Sequence, residues 1–202
     1  MHIEDNYLPL KLSKLTEELF GHLYTDVLEF RKAFNLPIGV SSLSEDADDL
    51  HTSLAVEELS ELAEASDPVA QADAIVDTIY VLVGRLVHLG HHRTSSNNGI
   101  SYSINLLLNV AERLKINFLP CWDEVHRSNM SKICLDKVEY QQTEKFYAQM
   151  GIKTEPVLQG KRIVVRCAED FADSGTVIIH RGKIMKSIHY RPANLKKFFK
   201  EV

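Results

Sequence analysis

Between Lys32 and Arg85 the sequence places eleven Asp and Glu residues and not one Lys or Arg. A solvated helix normally interleaves acids with bases three or four residues away, and this stretch has no base to interleave. Two of its segments nevertheless keep helical apolar spacing. Glu58 has Leu54 and Leu62 one turn to either side, and Asp77 has Ala74, Tyr80 and Val81 for neighbours. Asp67-Pro68 lies between the segments as an N-cap followed by proline at the first helical position. The pattern therefore predicts a helical hairpin, one arm over 52–65 and the other over 68–89, preceded by a polar, acidic loop over 41–49. Two turns of one arm then face two turns of the other, and the carboxylates meet.

The acids of this hairpin sit in unusual places. Glu58 and Glu61 lie on the edge of the apolar stripe, Glu57 and Glu64 lean further out, and Asp73 and Asp77 are one turn apart on an otherwise apolar face. Gathering carboxylates in half-buried surroundings costs several kcal/mol unless they are paired or hold a cation. Hard oxygen donors suit Mg²⁺ or Mn²⁺ rather than zinc. The plainer alternative is a solvated glutamate face with Asp77 alone half-buried. A di-iron carboxylate bundle would need two Glu-x-x-His motifs, and the nearest match is the single Asp123-x-x-His126.

The remaining chain reads mainly as helix. Leu12, Leu15, Leu19, Leu23, Val27 and Phe30 mark a helix over 11–34. Helices follow over 100–116, 120–133 and 138–150. Beyond Gly160 the pattern turns to strand at 162–166 and 176–180, with Asp173-Ser174-Gly175 as turn chemistry between them. A short helix over 192–202 closes the chain. The architecture expected is an all-α domain over 1–135 and an extension over 136–202 of helix, short β hairpin and terminal helix. Three cysteines without close spacing make neither a disulfide framework nor a zinc knuckle. The acidic N-terminus reads as no signal peptide and the most apolar stretch is too short to span a bilayer, so the expected setting is cytoplasmic.

The charge is divided: residues 1–100 carry a net −11 and residues 101–202 a net +6. In the basic half, 123–132 combines Arg127, Asn129 and Lys132 near one helix end. Arg127 and Lys132 can neutralise phosphate, and Asn129 can read a base or sugar edge. A capped helix end with surface charges is the alternative, and His126 reads as a packing residue. The C-terminal bases Lys183, Lys186, Arg191, Lys196, Lys197 and Lys200 have no aromatic platform or reading motif beside them, so a solvated face or an intersubunit contact is expected rather than nucleic-acid binding.

Taken together, EELSE at 57–61, DAIVDTIYVLVG at 73–84 and EVHRSNMSK at 124–132 resemble the MazG-like all-α nucleoside triphosphate pyrophosphohydrolases, relatives of phosphoribosyl-ATP pyrophosphohydrolase and dimeric dUTPases. VLEFRKAFNLP at 27–37 resembles the opening helix of some members, and residues 182–195 a tail that some carry. The resemblance implies a four-helix bundle core and Mg²⁺-dependent hydrolysis of a nucleotide between its α and β phosphates, giving a monophosphate and pyrophosphate. It implies that Glu58, Glu61 and Asp77 are metal ligands and that Asn129 and Lys132 contact substrate, with Arg127 beside them. The family's downstream motif is E-x-x-D. Here Ala74 stands three residues before Asp77, and Asp73, four before, takes the ligand role directly or through water. Glu57 or Glu61 would activate the attacking water. The implied assembly is a homodimer or homotetramer. A non-catalytic nucleotide- or metal-binding module on the same fold is the alternative, because of the alanine at 74.

Overall fold

A computed structural model describes residues 12–173 and 176–199. The N-terminal stretch read for a leader, the turn residues 174–175 and residues 200–202 lie outside them. The order is α1 (Glu17–Ala33), α2 (Glu45–Glu64), α3 (Pro68–His88), α4 (Asn98–Arg113), α5 (Phe118–Met130), α6 (Lys137–Gln149), β1 (Thr154–Gln159), β2 (Arg162–Cys167), β3 (Phe171–Asp173) and β4 (Thr176–Ile179). The protein is mainly helical with a small β region near its C-terminus.

α3 is the hub. It packs against α1, α2, α4 and α5, and twelve of its twenty-one residues are buried. The main core joins Phe20, Leu23 and Val27 of α1 to Ile75, Ile79 and Val83 of α3, Ile104 and Leu108 of α4, and Trp122 of α5. Asp67 caps α3 by accepting from the Val69 and Ala70 amides, with Pro68 in the first turn, as the sequence predicts.

α2 contrasts with its neighbour. Of its twenty residues only His51 is buried, and His51 Nε2 meets His88 Nδ1 at 3.0 Å, tying the start of α2 to the end of α3. The helix begins seven residues before the predicted 52, inside the expected loop. Ser44 caps it by accepting from the Ala47 amide, and Glu45, Asp46 and Asp48 occupy the first turn, where acids favour the helix dipole. An acidic run that reads as loop is in fact a helix start. Arg85, the first base after the acidic stretch, pairs with Asp48.

The two predicted strands both form, but not with each other. β2 pairs antiparallel with β1 through a turn at Gly160-Lys161, and β3 pairs with β4. β1 contains Pro156 and is largely exposed, which hides it from a pattern search. β2 buries Ile163, Val164, Val165 and Cys167 and joins Cys134, Ile152 and Met185 in a second core. All three cysteines are buried free thiols. In place of the expected terminal helix, residues 195–198 make one 3-10 turn, and Leu195 inserts into the main core. Among the described residues no helix is long and apolar enough to cross a membrane.

Candidate functional site: a carboxylate hairpin beside α5

The hairpin brings the predicted acids within electrostatic reach of one another. Burial, reinforced by Glu61, Glu57 and Asp73, pushes the Glu58 carboxyl up to about 7. Burial also pushes Asp77 up to about 7, with Asp73 and Glu58 adding repulsion. Asp73 is raised as well, by burial and by Glu61. Glu57, Glu61 and Glu64 stand exposed at the rim. The repeat places Glu58 and Asp77 inward, and both are half-buried, whereas Glu61 and Asp73, expected on the apolar edge and face, are exposed. No base within the hairpin offsets the repulsion among them.

The opposing charge comes from Lys132, just beyond the end of α5. Its ammonium acts on both Asp77 and Glu58, favouring their ionised forms. Burial lowers the lysine's own pKa, and Lys186 and Lys183 of the C-terminal region lower it further. Lys132 Nζ donates to Asn129 Oδ1 at 2.7 Å, and Asn129 also hydrogen-bonds Tyr80 of α3. Asn129 and Lys132 therefore lie against the hairpin. The Tyr80 hydroxyl meets His126 Nδ1 at 3.1 Å, and His126 Nε2 lies 3.7 Å from Glu29, so both imidazole nitrogens have partners.

Arg127 is engaged elsewhere. Its guanidinium makes two hydrogen bonds to Glu124, at 2.6 and 3.1 Å. The same carboxylate accepts from Lys197 Nζ at 2.7 Å and from the Asn194 amide at 2.8 Å. The Arg127 and Lys197 hydrogen bonds hold the Glu124 carboxyl down at about 2. This knot fastens the C-terminal strap to α5. Asp73 and residues 192–196 of the strap line a cleft of about 250 Å³, so the strap borders the hairpin. Sequence reasoning missed the role of Glu124 because two of its three partners, Asn194 and Lys197, lie some seventy residues away.

A set of side chains close enough to hold a cation, which spacing does not reveal, joins α1 to α5. His22, Asp26 and Asp123 bring one ligand atom each within 4.8 Å of one another. The hairpin carboxylates, by contrast, influence one another through charge but, among the described residues, do not bring three ligand atoms that close together.

Carboxylates gathered on two facing helices with few bases beside them are oxygen donors of the kind a hard divalent cation takes. More particularly, residues 36–92, which contain α2, α3 and all the hairpin acids, match the family model described as phosphoribosyl-ATP pyrophosphohydrolase. That segment is similar to this pyrophosphohydrolase family, in line with the resemblance drawn from the sequence. The family is one of hydrolases and is typically dependent on a divalent metal. No curated protein and no solved structure matches the chain.

Proposed function

We propose that the protein hydrolyses a nucleoside triphosphate or related nucleotide between the α and β phosphates, releasing a monophosphate and pyrophosphate, with Mg²⁺ as the resident cation and Mn²⁺ as a substitute. The observation that carries this reading is the state of Glu58 and Asp77. Burial and repulsion from neighbouring acids raise both to about 7, so each is divided between its neutral and ionised forms near neutral pH, and a hard cation would favour the ionised one. Glu58, Glu61 and Asp77 would hold the cation, with Asp73 close enough to serve directly or through water.

Bound Mg²⁺ supplies charge neutralisation to a polyphosphate that would otherwise repel any oxygen nucleophile. The chain's residues do the rest. Exposed Glu57 or Glu61 orients the attacking water and takes its proton. Lys132 stabilises charge gathering on the phosphate oxygens. Asn129, held between Tyr80 and Lys132, contacts the sugar or base. Arg127 would reach phosphate only by exchanging its bond to Glu124.

Self-association fits the same reading. α2 leaves Val56 and Leu59 more than 45% exposed, and α4 presents Leu106, Val110 and Leu114 at one-turn intervals; apolar rows of this kind mark contact surfaces. We propose a homodimer or homotetramer built on these faces.

The decisive assay is pyrophosphate release across a panel of nucleotides, phosphoribosyl-ATP included, with and without Mg²⁺. Release that requires Mg²⁺ and is lost in Glu61→Gln and Asp77→Asn is expected. Failure to turn over any nucleotide, or near-normal turnover by either variant, would overturn the assignment.

A further inference from the structure

The seam between α1 and α5 carries metal-binding chemistry that the hairpin does not use. α1 presents His22, Asp26 and Glu29 at spacings of four and three, and α5 presents Asp123 and His126 three apart. The imidazoles are crossed: His22 of α1 faces Asp123 of α5, and His126 of α5 faces Glu29 of α1. His22 is the tightest point. Its Nε2 lies 3.3 Å from Asp26 Oδ2 and 3.4 Å from Asp123 Oδ1.

Those two separations have a chemical meaning. Zinc binds imidazole nitrogen and carboxylate oxygen at about 2.0–2.1 Å, so neighbouring ligands of a tetrahedral site lie about 3.3–3.4 Å apart. His22 stands at that separation from both carboxylates. Asp26 is also oriented from behind. The fully buried Trp122 donates its indole N–H to Asp26 Oδ2 at 2.7 Å, the kind of outer hydrogen bond that fixes a ligating carboxylate. His22 and Asp123 are exposed, which leaves the mouth of the group open to water.

We propose that His22, Asp26 and Asp123 form a cation site distinct from the hairpin, taking a borderline transition metal of the Zn²⁺ class with water completing the tetrahedron. One nitrogen donor among three separates it from the all-oxygen hairpin and favours such ions over Mg²⁺. Its occupant would cross-link α1 to α5 next to the buried Trp122, which hydrogen-bonds Asp26. The proposal stands whether or not the protein is a pyrophosphohydrolase.

Trp122 is the chain's only tryptophan and touches a proposed ligand, so the site carries its own reporter. Co²⁺ is the probe: four-coordinate Co²⁺ absorbs intensely in the visible, six-coordinate Co²⁺ only faintly. Titration of the full chain is expected to give the intense bands together with saturable quenching of Trp122, both reversed by Zn²⁺. The signals should persist in a Glu58→Gln/Asp77→Asn double variant, which disables the hairpin, and vanish in His22→Ala and in Asp123→Asn. Both of the latter positions are exposed, and an unchanged metal-free Tm verifies their folding. Absence of the bands in the wild-type chain, as expected if His22 only pairs with the two aspartates, overturns the proposal. So does their survival in His22→Ala and Asp123→Asn, or their loss in the hairpin double variant.

Discussion

Glu58 and Asp77 in the hairpin and Glu124 on α5 are carboxylates withdrawn from water, and they have opposite fates. The hairpin pair is pushed up to about 7 by burial and like charge. Glu124 is held down at about 2 by Arg127 and Lys197. The difference lies in the company each keeps. Glu124 has its cations built into the chain, and it serves as a fastening point. The hairpin acids have Lys132 set against several negative charges, and in the proposed function a bound cation would supply the rest. An acid whose pairing is complete is part of the structure; one whose pairing is incomplete is a reason to look for a ligand.

Substitutions in the two regions should therefore separate function from stability. In the hairpin, Asp77→Asn and Glu61→Gln should each lower Mg²⁺-dependent pyrophosphate release by at least about a hundredfold, with a circular dichroism spectrum like that of the wild type. Next in size is the response to cation. Mg²⁺ at one hundred times its Kd should stabilise the native protein by about 2.7 kcal/mol, read as a rise in Tm that Asp77→Asn abolishes and Glu124→Gln retains. Glu124→Gln should cost about 2 kcal/mol, the worth of hydrogen bonds between charged groups, or roughly 4–8 °C in Tm for a chain of this size. Pyrophosphate release at 25 °C should survive that change. If Glu124→Gln abolished activity while leaving Tm unaltered, the division between the two regions would fail.

The smallest effect is the dependence of stability on pH, and its sign differs between the regions. Glu58 and Asp77 bind protons more tightly when folded than their ordinary values of 4.5 and 3.8. Their contribution is complete below those values and is lost as pH rises through about 7. Glu124 runs the other way: its contribution is present above 4.5 and is lost as pH falls towards about 2. Below about pH 6.5 the buried His51, held down at about 4, adds stability as pH rises and opposes the hairpin term. Above it the hairpin term prevails over Glu124, so the metal-free Tm should drift downward as pH rises from about 6.5 to 8. Saturating Mg²⁺ should reverse the drift, because the cation favours the ionised carboxylates.

Much of this was legible in the sequence where local chemistry decides. Asp67-Pro68 marks the hairpin turn because capping involves neighbours only, and the apolar spacing around Glu58 and Asp77 puts both on inward edges. The start of α2 was concealed because acids at a helix N-terminus look like loop composition until Ser44 is recognised as a cap. The pairing of β1 with β2 was concealed by Pro156 and by an exposed strand without alternation. Arg127 reads as a phosphate ligand when only 123–132 are considered; its bond to Glu124 is part of a knot completed by Asn194 and Lys197. The seam of His22, Asp26 and Asp123 was out of reach for the same reason. Asp123-x-x-His126 is visible as a motif, but its complement lies a hundred residues earlier, on a helix that only the tertiary fold brings alongside.

The single buried residue of α2 has a consequence in time as well as in space. A helix fastened to its domain chiefly through His51 and one face opens by local fluctuation at a free energy well below that of global unfolding. The backbone amides of 52–64 should therefore exchange with deuterated solvent long before those of α3, whose apolar face is fully enclosed. A cation bridging Glu58 and Glu61 to Asp77 would slow exchange throughout that segment and leave α3 almost unchanged. On this account α2 is the yielding arm of the hairpin and α3 the fixed one, and a cation held between them would act as a clasp on the yielding arm.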